Sequence, residues 1–71
     1  MERYFDVFRQ DADGSVRWIA STESMQSAKR LVRSNAVEPS EQFVIHNILA
    51  GERVYLRAVE AFAEKLPAKV Q

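Results

Sequence analysis

Residues 8–16, FRQDADGSV, are either a cation-binding loop or a corner between two strands, and that choice decides the fold. The pattern D-x-D-G occurs inside the EF-hand loop D-x-[DN]-x-[DN]-G-x5-E. Aligned on Gly14, however, the first ligand position falls on Arg9 and the bidentate glutamate position on Ala20. Neither side chain carries a carboxylate, and a calcium site needs six or more oxygens, which in an EF-hand lie between helices. Asp11 at the first position and Gly14 where the chain needs positive φ suit a type I turn closed by a glycine bulge. The stretch therefore reads as a corner, and no metal site is expected.

The flanks agree. Tyr4-Phe5-Asp6-Val7-Phe8-Arg9 and Val16-Arg17-Trp18-Ile19-Ala20 are aromatic and β-branched, which predicts strands at about 4–9 and 15–20. After Ala20 the period changes. Ser24 can cap a helix over 25–35, with Met25, Ala28, Leu31, Val32 and Asn35 at three- and four-residue spacing and Gln26, Lys29, Arg30 and Arg33 outward. Val37-Glu38-Pro39-Ser40 ends it, because proline disfavours helical geometry in the residue before it. Gln42 to His46 and Arg53 to Leu56 predict strands at about 42–47 and 52–57, joined through Ala50-Gly51. Val59, Phe62, Ala63 and Leu66 repeat at helical spacing and predict a short helix over 59–66.

One α+β domain over 1–71 follows, with the order ββαββ(α): a four-stranded, mostly antiparallel sheet, one helix on one face and a short C-terminal helix. Pleating sends alternate side chains to opposite faces. The expected core face is Phe5, Val7, Val16, Trp18, Phe43, Ile45, Val54 and Leu56. The reverse face would hold Tyr4, Asp6, Phe8, Arg17, Ile19, Val44, His46, Arg53 and Tyr55, an aromatic and charged mixture that calls for a cover. Three covers are open: the C-terminal helix with Phe62 and Leu66, a second copy of the chain, or another macromolecule.

Composition narrows the function. Ten basic and ten acidic residues cancel, and each half of the chain is mixed, so no global field recruits nucleic acid or anionic lipid. With no cysteine, a thiolate nucleophile, a thiolate zinc site and a disulfide framework are excluded; a cytoplasmic location is the expectation. The start, MERYFDVFRQ, has no apolar h-region, and no apolar run approaches the roughly 18 residues of a membrane span. A chain of 71 residues buries only about 60% of its unfolded surface, so single core residues should matter.

His46 is the only histidine, so any general base or imidazole ligand would be this residue, with Asp6 across the sheet. There is no G-x-S-x-G elbow, and both glycines are taken by turns, which leaves no phosphate cradle. No catalytic residue and no cofactor is expected. Lys29, Arg30 and Arg33 form a basic patch, with no acid between residues 24 and 35. Such a patch, with sheet aromatics, is what single-stranded nucleic acid would use.

The helix S-x-x-x-A-K-R-L-V-R, here within SMQSAKRLVR, followed by FVIHN and a glycine-containing second hairpin, resembles small bacterial ββαββ domains classed as of unknown function, over about residues 4–57. That resemblance implies a fold and no activity. The strand, D-x-D-G turn, strand, helix run is also similar to arm-type DNA-binding domains of integrases, whose strands are more basic than these. The functional expectation is a non-enzymatic interaction module, homodimeric, with Tyr4, Phe8, Ile19, Val44, Tyr55, Phe62 and Leu66 as its interface. The alternative is a DNA- or RNA-binding module using Lys29, Arg30 and Arg33.

Overall fold

The computed structural model describes residues 3–63. Its elements run β1 (Phe5–Gln10), β2 (Val16–Thr22), α1 (Met25–Asn35), β3 (Gln42–Asn47), β4 (Glu52–Arg57) and α2 (Ala58–Ala63). The four strands form one antiparallel sheet in the order β2-β1-β3-β4. The α+β ββαββ(α) architecture expected from the sequence is the one found. The segment 64–66 of the predicted second helix, Leu66 included, lies outside the described residues.

Local chemistry explains the corners. Gly14 has φ +91° and donates its N–H to Asp11 O at 2.9 Å. Asp13 Oδ1 accepts from Ser15 N at 2.9 Å and from Ser15 Oγ at 2.7 Å, and Asp11 Oδ2 accepts from Arg17 at 3.0 Å. The aspartates therefore tie the corner itself, as the turn reading requires. The Ser15 amide, with its hydroxyl, holds the Asp13 carboxyl below the usual carboxylate range. In the second hairpin Gly51 has φ +70° and donates to Asn47 O, while the Asn47 side chain accepts from Ala50 N. Ser24 caps α1 by accepting from Ser27 N at 3.1 Å.

The core is Val7, Ala28, Val32, Phe43, Ile45, Leu56, Ala58 and Ala61, with Phe5, Ile19, Met25, Leu31 and Val54 packed against it. Phe43, Ile45, Val7 and Val32 are the largest fully buried side chains. Each stabilises the fold by roughly 1.5–3 kcal/mol relative to exposure. At one end Arg9 lies over the Phe43 ring, 5.7 Å from its centroid, and donates to Asn35 O at the end of α1 at 2.7 Å. Its other neighbour, Glu41 at 3.7 Å, accepts from Val37 N, so one arginine joins β1, α1 and the α1–β3 connection.

Two expectations about β2 are corrected. The five-residue connection 11–15 pairs Gln10 with Val16 and Phe8 with Trp18. Directly opposite residues share a face, so Val16 and Trp18 point away from the core, at 53% and 59% exposure. Ile19 is then an extra residue: Val7 pairs with Ala20, and the register shifts between Val7 and Phe8. This β-bulge keeps Ile19 packed against the core, not on the reverse face.

Of the three covers left open, the second helix is not the one among the described residues: α2 packs beside α1 and β4 on the core side, not across the reverse face. No loop separates β4 from α2, and its first N–H groups are claimed at once: Ala58 N donates to Glu41 O and Val59 N to Pro39 O. Arg57 N donates to Glu60 Oε1, a capping-box bond. That start sets the rotation of the helix. Ala58 and Ala61 face inward, fully buried, whereas Val59 and Phe62, expected to anchor the helix, are 43% and 45% exposed. Alanines at the contact allow α2 close to α1, where Arg33 donates to Ala61 O at 3.2 Å.

Candidate interaction surface

With both helices on the core side, no helix or strand of the described residues covers the reverse face of the sheet. Its side chains fall into three cross-strand rows. Trp18, Phe8, Val44 and Tyr55 are successive partners across β2, β1, β3 and β4. One side of this row is flanked by Ser21, Asp6, His46 and Arg53, the other by Val16, Gln10, Gln42 and Arg57. An apolar stripe thus runs perpendicular to the strands between two largely polar rows, the arrangement of a hydrophobic interface centre with a polar rim.

Burial varies along the stripe. Val44 is only 6% exposed yet stands outside the core cluster, because Phe8 and Tyr55 flank it across the sheet. Tyr55 is 63% exposed and Phe8 half-buried. A shallow hollow of about 370 Å³ lies here, lined by Phe8, Val16, Val44, His46, Arg53 and Tyr55, with Gln10 and Gly14 at one end. Trp18 Nε1 donates to Asp6 Oδ1 at 3.4 Å, which tethers the indole over its own sheet.

The predicted interface residues are split by the fold. Phe8, Val44 and Tyr55 meet in the stripe, and Tyr4 precedes the same alternation. Ile19 belongs to the core side, and Phe62 lies on α2, on the other side of the molecule. The sequence reading missed Trp18 and Val16 by assigning them to the core. The signal was present in the loop length, since an odd connection pairs even positions with even.

The first row holds a hydroxyl, a carboxylate and an imidazole, but their order does not suit nucleophilic catalysis. Ser21 Oγ donates to Asp6 Oδ1, so the carboxylate and not the imidazole receives the hydroxyl proton. A triad places the imidazole between the two. His46 pairs with Asp6 in register across β1 and β3.

The basic helix patch is separated from the aromatics. Lys29, Arg30 and Arg33 are on α1, which packs on the core side, and Arg33 is engaged by Ala61 O. Arg30 lines a second hollow, of about 480 Å³, beside Arg3, Thr22, Ser27 and Ser34. Thr22 and Ser34 already donate their hydroxyl protons to backbone carbonyls, and Ser21, also in the lining, donates to Asp6. An anion there would find few hydroxyl donors. Among the described residues no group of three or more His, Asp or Glu side chains is arranged to hold a metal ion, and no helix is long and apolar enough to cross a membrane. Comparison with family models, with curated proteins and with solved structures finds no match.

Proposed function

We propose that this chain is a non-enzymatic interaction module that self-associates through the reverse face of its sheet. The observation behind the proposal is the Trp18–Phe8–Val44–Tyr55 stripe, two of whose members are more than half exposed on a face that the described helices leave open. Both sheet edges argue for the face over edge-to-edge pairing. The β2 edge is bent by the Ile19 bulge, and β4 carries Glu52, Arg53 and Arg57; bulges and charges are how edge strands resist pairing. A cytoplasmic setting belongs to the same proposal, on the cysteine-free composition.

Trp18 is the only tryptophan and lies in the stripe, so it reports directly. Sedimentation equilibrium from low to high micromolar concentration should give a monomer–dimer transition, accompanied by a blue shift of Trp18 emission. Tyr55→Asp should abolish both while leaving the far-UV spectrum unchanged. A wild-type chain that stays monomeric throughout, or a Tyr55→Asp chain that dimerises equally, defeats the proposal.

A second reading is favoured by Arg53 and Arg57 beside the exposed aromatics: single-stranded nucleic acid stacked on Trp18 and Tyr55. Lys29, Arg30 and Arg33, on the helix side, are too far round the molecule to join that platform. Titration of a labelled oligonucleotide separates the readings, because such binding weakens steeply with salt. Affinity unchanged by salt and by Arg53→Glu removes it.

A further inference from the structure

We infer that two copies pair face to face about a two-fold axis parallel to the strands, passing between β1 and β3; this rests on the self-association proposed above. Of the in-plane axes, only two lay the stripe of one copy along that of the other: one parallel to the strands and one along the stripe. The side chains choose between them.

Rotation about the axis parallel to the strands exchanges β1 with β3 and β2 with β4. Each row then meets itself reversed. Trp18 faces the second copy's Tyr55, and Phe8 faces its Val44. Asp6 faces its His46, Gln10 faces its Gln42, and Arg53 faces its Ser21. Of the six pairs, five are complementary: aromatic on aromatic, apolar on apolar, carboxylate on imidazole, amide on amide and guanidinium on hydroxyl; the sixth sets Val16 against Arg57 at the rim, where the arginine head stays in water. These partners follow from the register of the three strand pairs. Because the contact is isologous, each complementary pair occurs twice.

Rotation about the stripe gives the opposite result. It superposes the Asp6 row on the Gln10 row, so Arg53 lies on the second copy's Arg57 and Asp6 on an uncharged glutamine. Like charges face each other twice, and the Asp6–His46 pair is lost. Such juxtaposition is destabilising. The three rows cover roughly 20 Å by 20 Å from strand and residue spacings. That is roughly 400 Å² in projection, about half of what each partner contributes to a standard interface. The dimer is therefore expected to be weak, with a dissociation constant of micromolar order.

The absence of native cysteine makes the geometry directly readable. Ser21 and Arg53 stand at opposite ends of one row, about 14 Å apart across three strand spacings, too far for a disulfide within one chain. Neither belongs to the stripe, so cysteine there leaves the aromatic contact intact. Singly substituted Ser21→Cys and Arg53→Cys chains, each checked for a native far-UV spectrum, are mixed at high micromolar concentration and treated with a short bismaleimide. The mixture should give several-fold more crosslinked dimer than either chain alone. A Ser21→Cys and Val16→Cys mixture, the pair that the rival axis brings together, should give only background.

Crosslinking in the Val16 mixture but not in the Arg53 mixture overturns the axis and leaves self-association through the face standing. No crosslinking in any mixture, with a wild-type chain that sediments as a dimer, overturns the face-to-face pairing. A wild-type monomer at the same concentration defeats the underlying reading as well.

Discussion

The β1–β2 and β3–β4 hairpins are built alike but differ in their second strands: β4 buries its apolar alternation, whereas β2 turns Val16 and Trp18 outward. Each turns at a glycine of positive φ, and each is rich in aromatic and branched residues. The first connection, 11–15, has five residues and the second, 48–51, has four. With four, odd positions of β3 pair with even positions of β4, and Phe43, Ile45, Val54 and Leu56 share the core side. With five, even pairs with even, and Val16 and Trp18 turn outward beside Phe8. Alternation supplies the period of a strand, but the loop supplies its phase. One residue in a connection therefore decides whether an apolar set becomes core or surface.

The largest effects are expected at the largest side chains of the two hairpins. Phe43→Ala, on the inward side of the second hairpin, is expected to cost about 3–5 kcal/mol. In a domain this small such a loss should leave little cooperative unfolding in urea. Trp18→Ala removes a larger ring from the outward side of the first hairpin and should cost less than about 1 kcal/mol in the monomer. Comparable losses for the two would mean that Trp18 is buried, and the phase argument would fail.

Next in size come the glycines. Nothing lies within 4 Å of a Cβ built at either position, so substitution there is a test of backbone conformation alone. Gly14→Ala and Gly51→Ala are each expected to lose about 1–2 kcal/mol, the cost of holding a side chain at positive φ. Thermal denaturation of the pair checks whether the hairpins share this device. An alanine tolerated at one site and not at the other would show that they do not.

Arg9→Met should cost about 1–2 kcal/mol, because it deletes the charged hydrogen bond to Asn35 O and the guanidinium over the Phe43 ring. Arg53→Met, on the outward row, should be nearly silent. Chemical denaturation of the two variants sharpens the contrast between the faces.

The smallest effect is acid sensitivity. The Ser15 amide holds Asp13 below the usual carboxylate range, and the Val37 amide does the same for Glu41. A depressed folded pKa means that the unfolded chain binds protons more readily. The contribution is therefore fully present above the ordinary carboxylate range and is lost as pH falls through it and down to the folded values. Urea midpoints measured from pH 6 to pH 3 should fall for the wild type. Asp13→Asn should flatten part of that fall, and Glu41→Gln another part. Unchanged slopes in both would sever the link between these two carboxylates and stability.

Much of the fold was legible because it rests on local rules. D-x-D-G flanked by aromatic and branched runs reads as a turn, Ser24 caps because its hydroxyl reaches Ser27 N, and Pro39 follows the end of α1. Two placements were not legible from period alone. The reading of α2 weighted Val59 and Phe62 by size, while the contact is made by Ala58 and Ala61, whose value lies in being small enough for α1 to approach. The reading of β2 followed its alternation without counting the connection, and the Ile19 bulge adds a residue that alternation has no place for. Phe8, Val44 and Tyr55 of the candidate surface were visible; Trp18 and Val16 were not, because their face depends on which residue of β1 they meet.

The sequence by itself determined the order and type of the elements, the two glycine corners and the apolar strip of α1, since each depends on neighbours within a few residues. The tertiary structure alone decided which face of β2 is inside, where α2 docks and that Trp18, Phe8, Val44 and Tyr55 form one row. Those outcomes depend on register between strands that meet only after the chain has closed on itself, and register is a property of pairs.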